Sequence, residues 1–329
     1  MSVGILGTGS AVPDVVLTNK QLEDMVETSD EWITSRTGIK ERRIAKEDEA
    51  ASDFAYKAAV EALKSANLKP EDIDLILVAT ITPDMLFPST ACIVQDRLGA
   101  SEAAAFDLSA GCSGFVYALE VGCQMVRGGY KHVLVIGADV LSKVTDYEDR
   151  STCVLFGDGA GACVLGEVEE GFGILATNLG ADGSGANVLC LEAGGSRMPA
   201  SEETVRSKKH FITMIGNEVF KFAVRIMGQS TLEVLKRANI NPEQIRWFIP
   251  HQANIRIIQA AAQRLGLDDE SVYVNVDRYG NTSAASIPIA LDELVKMGKV
   301  EHGDNLLTVG FGAGLTWGSA IIRWQEDVK

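Results

Sequence analysis

An internal duplication constrains this chain more than any other feature of its sequence. Residues 62–74, Ala-Leu-Lys-Ser-Ala-Asn-Leu-Lys-Pro-Glu-Asp-Ile-Asp, lie on residues 234–246, Val-Leu-Lys-Arg-Ala-Asn-Ile-Asn-Pro-Glu-Gln-Ile-Arg, at a constant offset of 172, with seven of 13 positions identical. Each copy reads as the end of a helix, a turn through Pro-Glu and the start of a strand, over 75–79 in the first and 247–251 in the second. Arg97-Leu-Gly99 recurs as Arg264-Leu-Gly266, and segments 132–139 and 305–312 form a looser third correspondence. None of these segments is of low complexity, which favours duplication over compositional coincidence. Strands alternating with helices of about ten or more residues predict largely parallel sheets covered by helices. The chain is therefore expected to be α/β, in two similar halves, residues 1–170 and 171–329, joined near 169–173. The polar stretch 193–209 reads as an insertion looping over the surface of the second half.

The stretch Ala103-Ala-Ala-Phe-Asp-Leu-Ser-Ala-Gly-Cys-Ser-Gly114 is the candidate centre of chemistry. Residues 103–108, apolar with a single charge, suit a buried strand. Small residues at 109–111 permit a sharp turn. From Cys112 the spacing becomes helical, through Phe115, Val116, Leu119 and Met125, until Gly128-Gly129 stops it. Cys112 is thus expected at a strand-to-helix elbow, where free backbone N–H groups favour a thiolate. The other cysteines (Cys92, Cys123, Cys153, Cys163 and Cys190) read as small buried hydrophobes. In the repeat Gly280-Asn-Thr282 is matched to Gly111-Cys-Ser113, so Asn281 is expected at the position equivalent to Cys112, with His251 at the end of a neighbouring strand. Open α/β sheets place their sites beyond the carboxyl ends of strands, and a Cys, a His and an Asn meeting there form a nucleophilic constellation. His132, His210 and His302 lie in contexts that suit surface histidines.

Composition excludes several classes. A net charge of −15 argues against nucleic acid or an anionic membrane as partner, and an acidic partner would need a local basic patch. No apolar run is long enough to span a bilayer, and the first residues lack a leader pattern, so the chain is read as cytoplasmic. Six cysteines without close pairing fit a reducing compartment, and no Cys/His spacing resembles a metal site. Gly157-Asp-Gly159-Ala-Gly-Ala162 has the form of a dinucleotide fingerprint, but a strand follows it where the fingerprint needs a helix. Gly310-Phe-Gly312-Ala-Gly314 is open to two readings, a plain tight loop or a row of backbone N–H groups lining an oxyanion site.

Several strings make the chain closely similar to the β-ketoacyl-(acyl-carrier-protein) synthase III family of the thiolase superfamily. They are Ser29-Asp-Glu-Trp-Ile33, Thr37-Gly-Ile-Lys-Glu-Arg-Arg-Ile44, Ala110-Gly-Cys-Ser-Gly114, Asn217-Glu-Val-Phe-Lys221, Pro250-His-Gln-Ala-Asn254, Gly280-Asn-Thr-Ser283 and Phe311-Gly-Ala-Gly-Leu-Thr-Trp317, and the match runs from end to end. The resemblance implies a five-layered αβαβα fold of two duplicated halves, usually a homodimer. It implies an enzyme that joins a short acyl-CoA to malonyl-carrier protein, with no cofactor because the CoA thioester is itself a substrate.

Carried over to this sequence, the resemblance makes Cys112 the acylated residue, with His251 and Asn281 hydrogen-bonding the malonyl thioester oxygen. The backbone N–H groups of Cys112 and Ala313 would form the oxyanion hole, with alanine at a position where the family often has glycine. Thr28, Trp32, Arg36 and Arg150 would meet CoA, and Phe87 would reach across the dimer to floor the acyl pocket. Lys221, Arg225, Arg256 and Arg264 would receive the carrier protein. A thiolase would place a second cysteine within 310–314, and an elongating synthase a second histidine at 281; this chain has neither. A priming ketosynthase of a secondary-metabolite pathway, a thioesterase or amidase, and a non-catalytic partner subunit are the other readings of the same residues.

Overall fold

Side-chain alternation along the strands sets the layers. Leu75, Leu77 and Ala79 join one apolar cluster while Ile76 and Val78 join another on the opposite face. In the same way Val133 and Val135 face one side, and Leu134 and Ile136 the other. The second half repeats this: Trp247, Ile249 and Leu306 belong to the cluster shared with the first half, whereas Phe248, Leu307 and Val309 face outward under other helices. Strands apolar on both faces must be covered on both faces.

The computed structural model describes residues 1–326 and shows how that cover is provided. The first sheet runs in the order Ser2–Ala11, Asp158–Val168, Val133–Val140, Leu75–Ala79, Ala104–Leu108. The second runs Gly173–Ala181, Thr316–Arg323, Asn305–Gly312, Ile245–Pro250, and the place of a fifth strand is taken by a single parallel bridge between Phe248 and Val272. Helices Gly114–Arg127 and Ser286–Lys296 contribute to the cluster between the sheets. Ala51–Ser65 and Thr90–Leu98 cover the outer face of the first sheet, and Gly216–Ala238 and Ile255–Leu265 that of the second. The result is the five-layered αβαβα stack.

The offset of 172 persists in three dimensions. Leu75–Ala79 pairs in parallel with Val133–Val140, and Ile245–Pro250 with Asn305–Gly312, in which Asn305 stands 172 residues after Val133. The sheets are mixed rather than largely parallel. Both halves turn back on themselves, Asp158–Val168 running antiparallel to Val133–Val140 and Thr316–Arg323 antiparallel to Asn305–Gly312. In the second half only residues 313–315 join the two strands, a connection far too short for the crossover that a parallel pair requires.

Two other expectations change. Ala104–Leu108 is not an interior strand but the edge of its sheet, with Phe106 exposed. Cys92 is exposed and Cys190 half-buried; all six cysteines are free. The 193–209 insertion lies on the surface, includes the short helix Glu202–Arg206, and is tied to the first half by Lys208, which pairs with Asp146 and Glu148. Among the described residues no helix is long and apolar enough to cross a membrane.

Candidate active site

Cys112 sits in the one-turn 3-10 segment Gly111–Ser113 that leads into helix Gly114–Arg127. Gly111 takes φ +56°, a left-handed turn that glycine enters without strain. The end of strand Asn305–Gly312 and the turn after it press against this elbow: a Cβ on Gly312 would lie 2.4 Å from the Cys112 nitrogen, and one on Gly111 2.7 Å from the Ala313 nitrogen. Only residues without side chains allow the two backbones to meet so closely. The N–H groups of Cys112 and Ala313 are thereby neighbours, and neither takes part in the backbone hydrogen bonding around the turn. Thr316 clamps the arrangement, its hydroxyl donating to the carbonyls of Ala110 and Ala313.

Cys112 lines two cavities. One, of about 180 Å³, is apolar and includes Ile81, Leu141, Phe156, Leu189 and Ile212. The other, of about 110 Å³, brings together Cys112, His251, Asn281, Phe220, Asn254 and Phe311. The three residues expected to meet therefore line one cavity.

Asn281 reaches that cavity by a different route from the one expected. Backbone conformation puts Ser283, at φ +52°, opposite Gly111 at the same offset of 172, so Ala284 rather than Asn281 is the counterpart of Cys112. The match of Gly280-Asn-Thr282 to Gly111-Cys-Ser113 is out of register by three residues. Asn281 is instead held by a parallel bridge to Phe156, donating its N–H to the Leu155 carbonyl and accepting the Gly157 N–H. Its side-chain Oδ1 accepts the Ser283 N–H at 2.9 Å. That bond identifies the oxygen end of the amide and leaves the Nδ2 hydrogens for the cavity.

His251 follows strand Ile245–Pro250 and remains in its ladder, its N–H donating to the Val309 carbonyl. The ring is 1% exposed and stacks edge-on against Phe311 at 5.4 Å. Nδ1 lies 2.6 Å from the Ser286 hydroxyl, which already accepts the Gln252 N–H. Among the described residues the Ser286 hydroxyl proton has no acceptor other than Nδ1, so Nδ1 accepts it and the ring proton sits on Nε2. Burial pushes the imidazole down to about 3, so it is neutral. Gln252 braces the segment, donating to the Pro250 and Tyr273 carbonyls and accepting from the N–H groups of Asn275 and Val276.

Opposing effects act on the Cys112 sulfur. Burial pushes its thiol up to about 12, the Ser283 hydroxyl pulls it down, buried Asp139 adds to the rise, and the cysteine's own backbone N–H opposes it. The helix start acts in the same direction as that N–H but is outweighed by burial, and the resting protein holds a thiol rather than the expected thiolate. Ser283, Ser286 and Asp139 surround these residues although the sequence singled none of them out: Ser283 and Asp139 only end the strings 280–283 and 132–139, and Ser286 falls in no repeat or motif.

The remaining expected residues fall into separate groups. Arg36 and Arg150 both lie over the Trp32 ring, at 5.7 and 5.1 Å, and Arg150 donates to the Glu27 carbonyl beside Thr28, whose buried hydroxyl has no partner among the described residues. Asn254, in the wall of the second cavity, donates to the Arg36 carbonyl and ties this cluster to the site. Lys221, Arg225, Arg256 and Arg264 are exposed on the two outer helices of the second half. Arg256 lies over Phe220, in the wall of the same cavity. Phe87 is 84% exposed and lines neither cavity within one chain.

Residues 106–183 match the family 3-oxoacyl-[acyl-carrier-protein (ACP)] synthase III, and residues 235–324 its C-terminal part. The chain is 61% identical over 327 residues to the beta-ketoacyl-[acyl-carrier-protein] synthase III of Caldanaerobacter subterraneus subsp. tengcongensis, covering 99% of both. The crystal structure of 3-oxoacyl-[acyl-carrier-protein] synthase III from Aquifex aeolicus VF5 aligns at TM-score 0.91 and 52% identity, over 98% of this chain and 100% of that one. The priming β-ketosynthase of the R1128 polyketide biosynthetic pathway aligns at TM-score 0.92 but 36% identity, over 99% and 97%. Fold and likeness together define a thiolase-fold condensing enzyme, an acyltransferase. Relatives 51–61% identical over nearly the whole chain are of one kind, and the likeness extends over both halves. The chain belongs to the β-ketoacyl-[acyl-carrier-protein] synthase III family.

Proposed function

We propose that the chain performs a decarboxylative Claisen condensation of a short acyl-CoA with malonyl-carrier protein, starting type II fatty-acid synthesis. The observation that carries this reading is that His251 and Asn281 are each locked, by Ser286 and by the Ser283 N–H, with a donor left for the cavity that Cys112 lines. Two neutral donors facing one cavity suit an oxygen on which negative charge develops. Sequence identity favours this reading over a polyketide-priming role, 61% against 36%.

In the first half-reaction the Cys112 sulfur attacks the acyl-CoA carbonyl. The new C–S bond forms, the bond to CoA breaks, and the thiol proton leaves with the CoA sulfur. In the second, the carbon–carboxylate bond of the malonyl group breaks and carbon dioxide departs. The electron pair becomes a thioester enolate, whose oxygen accepts from His251 Nε2–H and Asn281 Nδ2–H. The enolate carbon then attacks acyl-Cys112, the Cys112 and Ala313 N–H groups hold the oxyanion, and its collapse expels the cysteine sulfur, which takes up a proton from water to return to the resting thiol. The chain needs no cofactor beyond its two thioester substrates.

The acyl group occupies the apolar cavity. CoA enters past Trp32, Arg36 and Arg150, whose Arg-Trp-Arg stack offers one aromatic face and two cations to a nucleotide. The carrier protein docks on Lys221, Arg225, Arg256 and Arg264. The working form is a cytoplasmic homodimer: the Ala104–Leu108 edge carries an exposed Phe106, and Leu86 (79% exposed) and Phe87 are uncovered in a single chain. Acyl transfer is tested by incubating the protein with a panel of short acyl-CoAs and weighing its peptides. One acyl mass is expected on the Cys112 peptide and none on those of Cys92, Cys123, Cys153, Cys163 or Cys190; stable acylation at one of these instead would refute the assignment.

A further inference from the structure

Ser283 stands at φ +52°, in the left-handed region that disfavours any residue carrying a Cβ. Its counterpart in the first half, Gly111 at φ +56°, is a glycine. The second half thus keeps a side chain where the first has none. That side chain is fully buried, and its hydroxyl has no hydrogen-bond partner among the described residues. A stranded buried hydroxyl is unfavourable in itself. Glycine at this position would remove both the strain and the unpaired atom.

Ser283 lines the apolar cavity together with Cys112. The titratable groups around the sulfur are Asp139 from strand Val133–Val140, His251 after Ile245–Pro250, and Cys190 from strand Leu189–Leu191. Among the described residues no Lys or Arg lines either cavity to balance a thiolate. Although it makes no bond of good geometry in the resting state, the Ser283 hydroxyl pulls down both the Cys112 thiol and the Asp139 carboxyl. It is the largest influence opposing the burial of the thiol.

We propose that the Ser283 hydroxyl is the side-chain hydrogen-bond donor to the Cys112 sulfur whenever that sulfur carries negative charge, turning onto it during acyl transfer and again when it leaves in condensation. This rests on Cys112 being the acylated nucleophile. As the thiol gives up its proton to the departing CoA sulfur and the new C–S bond forms, Ser283 Oγ–H donates to the attacking sulfur. Once acylated, the sulfur is neutral and a weak acceptor, and the hydroxyl is released. When the oxyanion collapses and the sulfur leaves, the hydroxyl donates again, with no net transfer of its own proton.

The test uses Ser283→Gly and Ser283→Ala in the full-length protein. The pH profile of iodoacetamide alkylation at the Cys112 peptide is read by mass, beside the rate of acyl transfer from acyl-CoA and a thermal melt. Ser283→Gly keeps the backbone angle without strain, so it should melt at or above the native temperature. On the limb below its midpoint its alkylation profile should shift up by about one pH unit, leaving about tenfold less thiolate and tenfold slower alkylation at a given pH, with acyl transfer slowed in proportion. Ser283→Ala, which keeps the Cβ at the left-handed backbone, should show the same shift with a melting temperature below that of Ser283→Gly. An unmoved alkylation profile in the folded glycine variant overturns the proposal, and would do so even with acyl-Cys112 still forming. Failure of the native protein to acylate Cys112 at all would instead remove the reading on which the proposal rests, while the alkylation profile still reports on the hydroxyl.

Discussion

His251 shows how burial and one neighbour settle the chemistry of a side chain. An exposed imidazole titrates near 6.5, but burial holds this one neutral down to about 3. Its donor proton on Nε2 is therefore present throughout the range in which proteins work, and the Ser286 hydroxyl keeps it there. Malonyl decarboxylation should consequently cross pH 6.5 without an inflection from this ring; an inflection there that is lost in His251→Gln would show that the ring titrates. Stability is linked with a definite sign. Between about 6.5 and 3 the unfolded chain binds a proton at this histidine that the folded chain does not. The free energy of unfolding, and with it stability, should fall as pH drops through that window, by up to about 1.4 kcal/mol per pH unit from this residue alone. Urea midpoints taken between pH 7 and pH 5 should show a shallower slope in His251→Gln than in the native protein.

At the scale of elements the site is a contact between two backbone turns, one from each half. A methyl group on Gly312 would sit 2.4 Å from the Cys112 nitrogen, a distance no Cβ tolerates, and the neighbouring atoms are backbone that cannot swing aside. Gly312→Ala should thus displace the Cys112 and Ala313 N–H groups, cutting condensation by about 10²–10³-fold, the usual cost of losing an oxyanion donor. The check is condensation rate beside a circular-dichroism melt; a folded Gly312→Ala protein of native rate would mean that these N–H groups are not the oxyanion hole. The duplication was legible because its helix–Pro-Glu–strand units keep their residues, and the layers because apolar residues alternate along the strands. The register of Asn281 was not. Gly-x-Ser and Gly-x-Thr look alike on paper, whereas the true equivalence is a left-handed backbone shared by Gly111 and Ser283, which residue type conceals. The edge position of Ala104–Leu108 was hidden for another reason: an apolar run reads the same whether its cover is its own chain or a second copy. Ser286 and Asp139 gave no periodic signal, since each matters only through partners that folding brings to it, His251 and Gln252 for Ser286 and Thr80, Ile81, Thr82 and Ala284 for Asp139.

Over the whole molecule, a net charge of −15 opposes the approach of an acidic partner, so docking depends on a local patch. Lys221 and Arg225 lie four residues apart on helix Gly216–Ala238, and Arg256 and Arg264 on the helix packed beside it; Arg256 lies over Phe220, which lines the His251–Asn281 cavity. Reversing both Lys221 and Arg256 to Glu should weaken condensation with malonyl-carrier protein by about tenfold or more, as misplaced like charges cost several kcal/mol, while acylation from acyl-CoA stays near native. Equal loss in both half-reactions would place docking elsewhere. The central claim is that Cys112 carries the acyl group while His251 and Asn281 serve the enolate, so the most direct measurement separates those two tasks. Carbon dioxide release from labelled malonyl-carrier protein is followed beside acyl transfer from labelled acyl-CoA. His251→Ala and Asn281→Ala should form acyl-Cys112 yet lose decarboxylation by about 10²–10³-fold, and Cys112→Ala should decarboxylate without condensing. A His251→Ala protein that cannot be acylated but still releases carbon dioxide at the native rate would make His251 the base for the cysteine and contradict the account.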